Sequence, residues 1–160
     1  MGGGGGIFAS AGTILNCTIA ENFSAVDGGG ILWAGGANPI HVKNTIIAYN
    51  LVLTIPEVGQ DVSGVFVSGG HNLIGVVNGS SGFGAPGDLL GTVGNPLDPM
   101  LAPLANNGGR TQTHALLPGS PAIDHGDNAG APATDQRGVA RPRDGDGNGS
   151  KVVDIGAFER

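Results

Sequence analysis

Asp144, Asp146 and Asn148 alternate with glycine in the run DGDGNGSKVVD, residues 144–154. Hard oxygen donors two residues apart, with Gly149 at the sixth place for a sharp bend, follow the pattern of a calcium loop. The twelfth place of that pattern, where a bidentate glutamate belongs, holds Ile155, and Asp154 stands one residue early. The rival reading is a solvated acidic turn between strands, which the missing glutamate favours. His114, Asp124, His125, Asp135 and Arg137 form the one group of residue types suited to acid–base work. No spacing among them brings their side chains together. The expectation is therefore structural: carboxylates beside turn amides, histidines closing corners, and an Arg–carboxylate pair drawn from Asp135, Gln136, Arg137 and Arg141. Ser80 and Ser81 lie among glycines in GSSGFGAPG, with neither a strand-to-helix context nor a following Lys-Ser/Thr, so neither a nucleophile elbow nor a phosphate-binding loop is expected. Trp33 and Tyr49 are the aromatic residues with polar tips, a type that stacks on sugar rings at an exposed face. Trp33, close behind GGGI, serves equally to fill a core.

Composition limits what these residues can serve. Glycine and proline supply 32 and 10 of 160 residues, yet 39% of the chain is hydrophobic and only 12% charged. Disordered chains show the reverse balance, so a folded, repetitive chain is the better reading. A net charge of −6 repels a phosphate backbone, and five Phe, one Trp and one Tyr leave little for base stacking, which argues against a nucleic-acid partner. The single Cys17 excludes an intrachain disulfide and a multi-cysteine metal site. No run approaches the roughly 20 apolar residues needed to span a bilayer as a helix, and no signal-peptide pattern is present.

The elements that must position any site come from a repeat. GGGI at 4–7 returns at 28–31; NCTIAEN at 16–22 returns as NTIIAYN at 44–50; HNLIG at 71–75 is a third, looser copy. Units of 24 to 28 residues in at least three copies indicate a solenoid. The apolar runs TILNCTIA, HVKNTIIA and VFVSGGHNLIGVV are short, β-branched and bounded by Gly, Asn, Asp or Pro, which reads as strands of four to six residues. No helical periodicity extends over ten residues, so the coil is a parallel β-helix. Successive coils then stack about 4.8 Å apart. Ile19 is expected under Ile47, and Asn16, Asn44 and Asn72 are expected to form an amide ladder, with separate turn caps as the alternative. Glycine is assigned to tight corners of positive φ. The glycines of MGGGGGIF are accordingly read as the opening of a coil, with Gly2 and Gly3 as a possible scar, and the chain as a piece of a longer solenoid. Its first coil would then lack a neighbour and be prone to fray, dimerise or aggregate.

Residues 95–127, NPLDPMLAPLANNGGRTQTHALLPGSPAIDHGD, and 134–159, TDQRGVARPRDGDGNGSKVVDIGAFE, resemble the C-terminal part of bacterial right-handed β-helix proteins known as choice-of-anchor Q domains. The GGGI and NCTIAEN units are also similar to repeats of polymorphic outer-membrane proteins. The resemblance implies an all-β chain: a short right-handed, single-stranded parallel β-helix of the pectate-lyase type, with a non-repetitive C-terminal cap. The expected organisation is coils over 1–75, a glycine-rich excursion over 76–95 with GDLLGT rejoining as a strand, and further coils and cap over 96–160. QTHALL, PAID and VVDIGAFE are its short strands, Asp124 and Arg137 are structural, and Phe158 plugs the apolar core. The implied setting is a secreted or cell-surface bacterial protein. Its partners would be a surface polysaccharide, a host or neighbouring cell surface, and upstream coils of a parent protein. The first function expected is a non-catalytic structural or adhesive module, with no cofactor required and Ca²⁺ admissible at Asp144, Asp146, Asn148 and Asp154. A polysaccharide lyase or glycoside hydrolase is the second; calcium-dependent lyases of this coil architecture use acidic residues and an arginine base, but Glu21, Asp27 and Glu57 are scattered through the repeats. A non-catalytic glycan-binding module resting on Trp33, Tyr49 and the calcium-type loop is the third.

Overall fold

The computed structural model describes residues 4–53 and 59–160; Gly2, Gly3 and Glu57, named above, lie outside the described residues. Short β-branched runs separated by tight corners wind the described residues up to Leu90 into stacked turns. The first turn carries β1 (Ile7–Ala9), β2 (Gly12–Leu15), β3 (Thr18–Ala20) and β4 (Phe23–Ser24). The second repeats them as β5 (Ile31–Trp33), β6 (Ile40–Lys43), β7 (Ile46–Ala48) and β8 (Leu51–Val52). In the third, one long strand, β9 (Val62–Ser68), pairs with both β5 and β6 before β10 (Leu73–Ile74). A shortened fourth turn holds β11 (Ser80–Ser81) and β12 (Leu89–Leu90). Every pairing between these strands is parallel, within sheets ordered β1-β5-β9-β6-β2, β12-β10-β7-β3 and β4-β8. The result is an all-β, β-helix-like stack of curled sheets, and among the described residues no helix is long and apolar enough to cross a membrane.

Strand alternation sorts the side chains into two cores. Ile19, Ile47 and Ile74 stand in one register column and face into the turns, where they join Ile31, Ile40, Val42, Val62 and Phe66. Ile19 and Ile47 thus stack directly on one another, as expected. Thr18, Ile46, Leu73 and Leu89 form the neighbouring column and face outward. An outward column should meet water, yet Ile46 and Leu73 are fully buried. They are covered by Leu116, Ala122, Ile123, Ile155 and Phe158.

That covering corrects the expected cap. Residues 96–160 form a layer along the side of the stack. Ala157 N donates to Thr18 Oγ1 in the first turn and Gly156 N to Asn44 O in the second, while His125 O contacts His71 Nδ1 in the third. QTHALL and VVDIGAFE supply only isolated antiparallel bridges, such as Leu101 to Leu116 and Arg143 to Val152, and PAID forms a turn. Proline and glycine at every few positions deny them the paired run that a coil needs. Phe158 therefore packs on the outer face of β7 and β10. The ring seated on the inner core is Phe83 of the fourth turn, 5.1 Å from Phe66. The segment 76–95 is likewise part of the stack, since β11 pairs with β9 and β12 with β10.

Glycine supplies positive φ at many turns, Gly12, Gly28, Gly59 and Gly70 among them, but it shares the corners with other residues. Asn16, Asn44 and His71 occupy equivalent corners at φ 47°, 50° and 55°. Asparagine tolerates this left-handed region better than most residues. In GGG at 28–30, by contrast, only Gly28 has positive φ; a Cβ on Gly29 would lie 2.4 Å from Gln60 O, so glycine there permits close approach of the next turn.

Candidate functional site

Asp144 heads a turn closed by its own amides. Its carboxylate accepts from Gly147 N at 2.8 Å and Gly149 N at 3.0 Å; Asp146 accepts from Asn148 N and Asn148 Nδ2, and Asn148 Oδ1 from Ser150 N. Asp124, from the PAID segment, reaches across to accept from Gly145 N at 3.2 Å and Asp146 N at 2.8 Å. Carboxylate oxygens of Asp124, Asp144 and Asp146 consequently lie within 4.8 Å of one another, an arrangement that can hold a hard cation. Asp154 does not belong to this group. It is buried, and its two oxygens accept from Asp124 N at 2.8 Å and Arg160 N at 2.7 Å. Burial pushes its carboxyl above the ordinary range. Asn148 turns its side chain to Asp146 and Ser150. Sequence spacing could not find Asp124 as the third acid, because it lies 20 residues before Asp144.

The arginine–carboxylate expectation resolves into two pairs. Asp135 accepts from Arg137 Nε at 2.9 Å, from Arg137 N and Val139 N, and from Glu159 N. Burial raises its pKa, but those hydrogen bonds outweigh it and the carboxyl ends below its ordinary value. The Arg137 guanidinium lies 3.5 Å from the centre of the Phe158 ring. Arg141 Nη2 donates to Gly156 O at 2.8 Å, and its Nε stands 3.3 Å from Glu159 Oε2. Burial pushes Glu159 up to about 6, against the hydrogen bonds from Asp154 N and Arg143 N. His114 Nδ1 lies 2.9 Å from Ala102 O and His125 Nδ1 2.7 Å from Ile123 O. His114, Asp124, His125, Asp135 and Arg137 are thus each held by main-chain atoms, and Asp135 and Arg137 also by each other.

The amide ladder exists in a different register. Asn44 Nδ2 meets Asn16 Oδ1 at 3.3 Å, but Asn72 lies one position on, where its Oδ1 accepts from Thr45 N at 3.1 Å. His71, not Asn72, occupies the third corner. The column instead runs Cys17, Thr45, Asn72, Asp88, each main-chain N donating to the next side chain. A second column, Asn22, Asn50 and Asp61, runs inside the opposite corner. Asn22 N and Nδ2 donate to Asn50 Oδ1, and Asn50 N and Nδ2 donate to Asp61 Oδ1. Burial pushes Asp61 up to about 6 despite these donors and Val76 N. The repeated final Asn of NCTIAEN and NTIIAYN carried the signal for this column.

Trp33 and Tyr49 are apart. Trp33 packs against the inner core and donates from Nε1 to Ser10 O and Asn38 O. Tyr49 is a positive-φ corner residue whose hydroxyl donates to Asp98; its ring is 42% exposed. Ser80 forms a turn bond to Val77 O.

Comparison with family models, curated proteins and solved structures finds no match.

Proposed function

We propose that the chain is a non-catalytic structural or adhesive module of a secreted or cell-surface bacterial protein, built as a right-handed, single-stranded parallel β-helix of the pectate-lyase type. The observation that carries this reading is the use made of the polar side chains in residues 96–160. Asp124, Asp135, Asp154 and Glu159 all accept main-chain N–H groups, and His114 and His125 both contact main-chain carbonyls. Groups committed to holding a layer on a stack are poor donors and acceptors for a reacting substrate. The likeness of 95–127 and 134–159 to choice-of-anchor Q domains supports the bacterial surface setting. Further coils of a parent protein would stack on the edges of β1, β2, β3 and β4, each of which pairs on one side only among the described residues. The fold requires no cofactor in this reading, and Asp124, Asp144 and Asp146 offer calcium a place as a turn stabiliser.

Glycan binding is the second reading, favoured by the exposed Tyr49 ring with the exposed Phe23 and Leu51 of the β4–β8 pair. A lyase or hydrolase is the third. Incubation with acidic and neutral polysaccharides separates them. A structural module yields no unsaturated product absorbing in the ultraviolet, no new reducing ends and no retention on immobilised glycans. Unsaturated products or new reducing ends overturn the proposal in favour of an enzyme. Retention lost in Tyr49→Ala transfers it to glycan binding.

A further inference from the structure

A groove of about 320 Å³ lies between the first turn and the side layer. One side is formed by Ile7, Thr18, Ala20 and Asn22, and the other includes Leu104 and His114. The layer wall is a hairpin, in which Ala105 N donates to Thr113 O and Thr113 N to Ala105 O. Leu104 is 50% exposed. Across from it, β3 is the last strand of the sheet ordered β12-β10-β7-β3 and pairs on one side only among the described residues.

The ladder sets what the open edge of β3 offers. In the second turn Ile46 N donates back to Cys17 O, whereas Thr45 O and Ile47 O accept from Leu73 N and Gly75 N of the third turn. Alternate residues of a parallel strand thus bond to opposite neighbours. Thr18 and Ala20 share a register with Ile46 and Ala48, so their main-chain groups point to the open side. Asn22 is open in the same direction. Asn50 Oδ1 accepts from Asn22 N and Nδ2, and Asp61 Oδ1 accepts from Asn50 N and Nδ2. The side-chain oxygen of each turn is met by N–H groups of the turn before it. Asn22 heads this column, and among the described residues its Oδ1 accepts no hydrogen bond.

We propose that this groove takes one extended strand, laid parallel to β3 and supplied by a further turn of this repeat type. The inference rests on the reading that such turns stack on the first-turn edges, and it names the segment recognised. Register fixes the chemistry of that segment. The residue aligned with Ile19 continues the column Ile19, Ile47, Ile74 and is therefore aliphatic. The residue aligned with Asn22, three places on, carries an amide, so that its N and Nδ2 both donate to Asn22 Oδ1 as Asn22 itself does to Asn50. The chain's own repeats show this spacing twice, at Ile19 and Asn22 and at Ile47 and Asn50. Main-chain bonds to Thr18 and Ala20 hold the added strand, the usual source of affinity when a peptide extends a sheet.

The probe is a fluorescein-labelled peptide of residues 44–50, NTIIAYN, titrated with the full chain and read by anisotropy. Saturable binding is expected. All substitutions are made in the peptide, so the protein's folding is untouched. Leucine in place of the peptide's final asparagine should weaken binding roughly tenfold, the loss of one hydrogen bond. N-methylation at the position of Ile47, whose N–H would reach Thr18 O, should abolish binding. N-methylation at the position of Ile46, whose N–H faces away from β3, should be tolerated. No saturable binding, equal affinity of the asparagine and leucine peptides, or equal loss from the two methylations overturns the proposal. A dimer of the chain that excludes the peptide overturns it in favour of a second copy. Polysaccharide cleavage is read separately, so failure of the peptide to bind leaves the non-catalytic reading standing, and cleavage leaves the peptide result standing.

Discussion

Replacing Ile46 by alanine tests the side layer most directly. Ile46 points away from the interior of the turns, and its burial depends on Leu116, Ile155, Phe158 and their neighbours lying against β7. The substitution removes three carbons. At about 0.8 kcal/mol for each buried CH₂ the transfer loss is about 2.4 kcal/mol, and the residual cavity brings the total to about 3–4 kcal/mol. Closure over the gap is limited, because Gly156 already approaches so closely that a Cβ there would lie 2.8 Å from Ile46 Cδ1. The assay is urea unfolding followed by the fluorescence of Trp33, the single tryptophan. Two controls give the scale. Ile47→Ala, inside the turns, should cost a similar amount. Val67→Ala, on β9 and 41% exposed, should cost under about 0.5 kcal/mol. If Ile46→Ala costs no more than Val67→Ala, residues 96–160 do not cover this face and the two-core description fails.

Asn50→Ala should cost about 3 kcal/mol in the same assay, since it strips bonds from Ile19 O, Ala48 O, Asp61 and Asn22 at a buried corner; a cost below about 1 kcal/mol would show that the column is dispensable. Stability should rise as pH falls from 7 towards 4.5. Asp61 and Glu159, both raised to about 6, keep protons in the folded state that the unfolded chain has already released. For Asp61 the rise from 3.8 corresponds to about 3 kcal/mol, lost as pH climbs from about 4 to 6. Asp61→Asn should flatten that slope, and a melting temperature that falls steadily from pH 7 to 5 would contradict the sign. Below the usual carboxylate range the trend should reverse as the depressed Asp135 takes up its proton and loosens from Arg137. A calcium chelator should leave the melting temperature unchanged, because the Asp144 turn is closed by Gly147 N, Gly149 N and Asn148; a drop of several degrees would make calcium a structural component.

The stacked turns were legible because their requirement recurs. Ile19, Ile47 and Ile74 each meet the same interior, so each must be aliphatic, and the 28-residue spacing of Ile19 and Ile47 exposes the register. One residue of drift in the third turn was enough to misplace Asn72. The third turn reaches the corner after 27 residues, at His71, and left-handed φ is a backbone condition that Asn and His can both meet. Within the acidic turn the sequence order of ligands misled, since Asp124 enters from a different segment while Asp154, adjacent in sequence, is drawn into the layer by Asp124 N and Arg160 N.

The side layer was hidden for a different reason. Ile46 beside Ile47, and Leu73 beside Ile74, break the alternation that a half-exposed strand should show, because both faces of β7 and β10 are buried. At the same register in the first turn the outward residue is Thr18, whose hydroxyl accepts from Ala157 N. The polar–apolar contrast between Thr18 and Ile46 thus marks where the layer changes from main-chain contact to apolar contact. A doubled apolar pair within a repeat of stacked parallel strands is therefore a sign that something lies against that face. In this chain it is the segment whose glycines, prolines and buried carboxylates suit an irregular backbone: without ladder partners, residues 96–160 meet their N–H groups with Asp124, Asp135, Asp154 and Glu159.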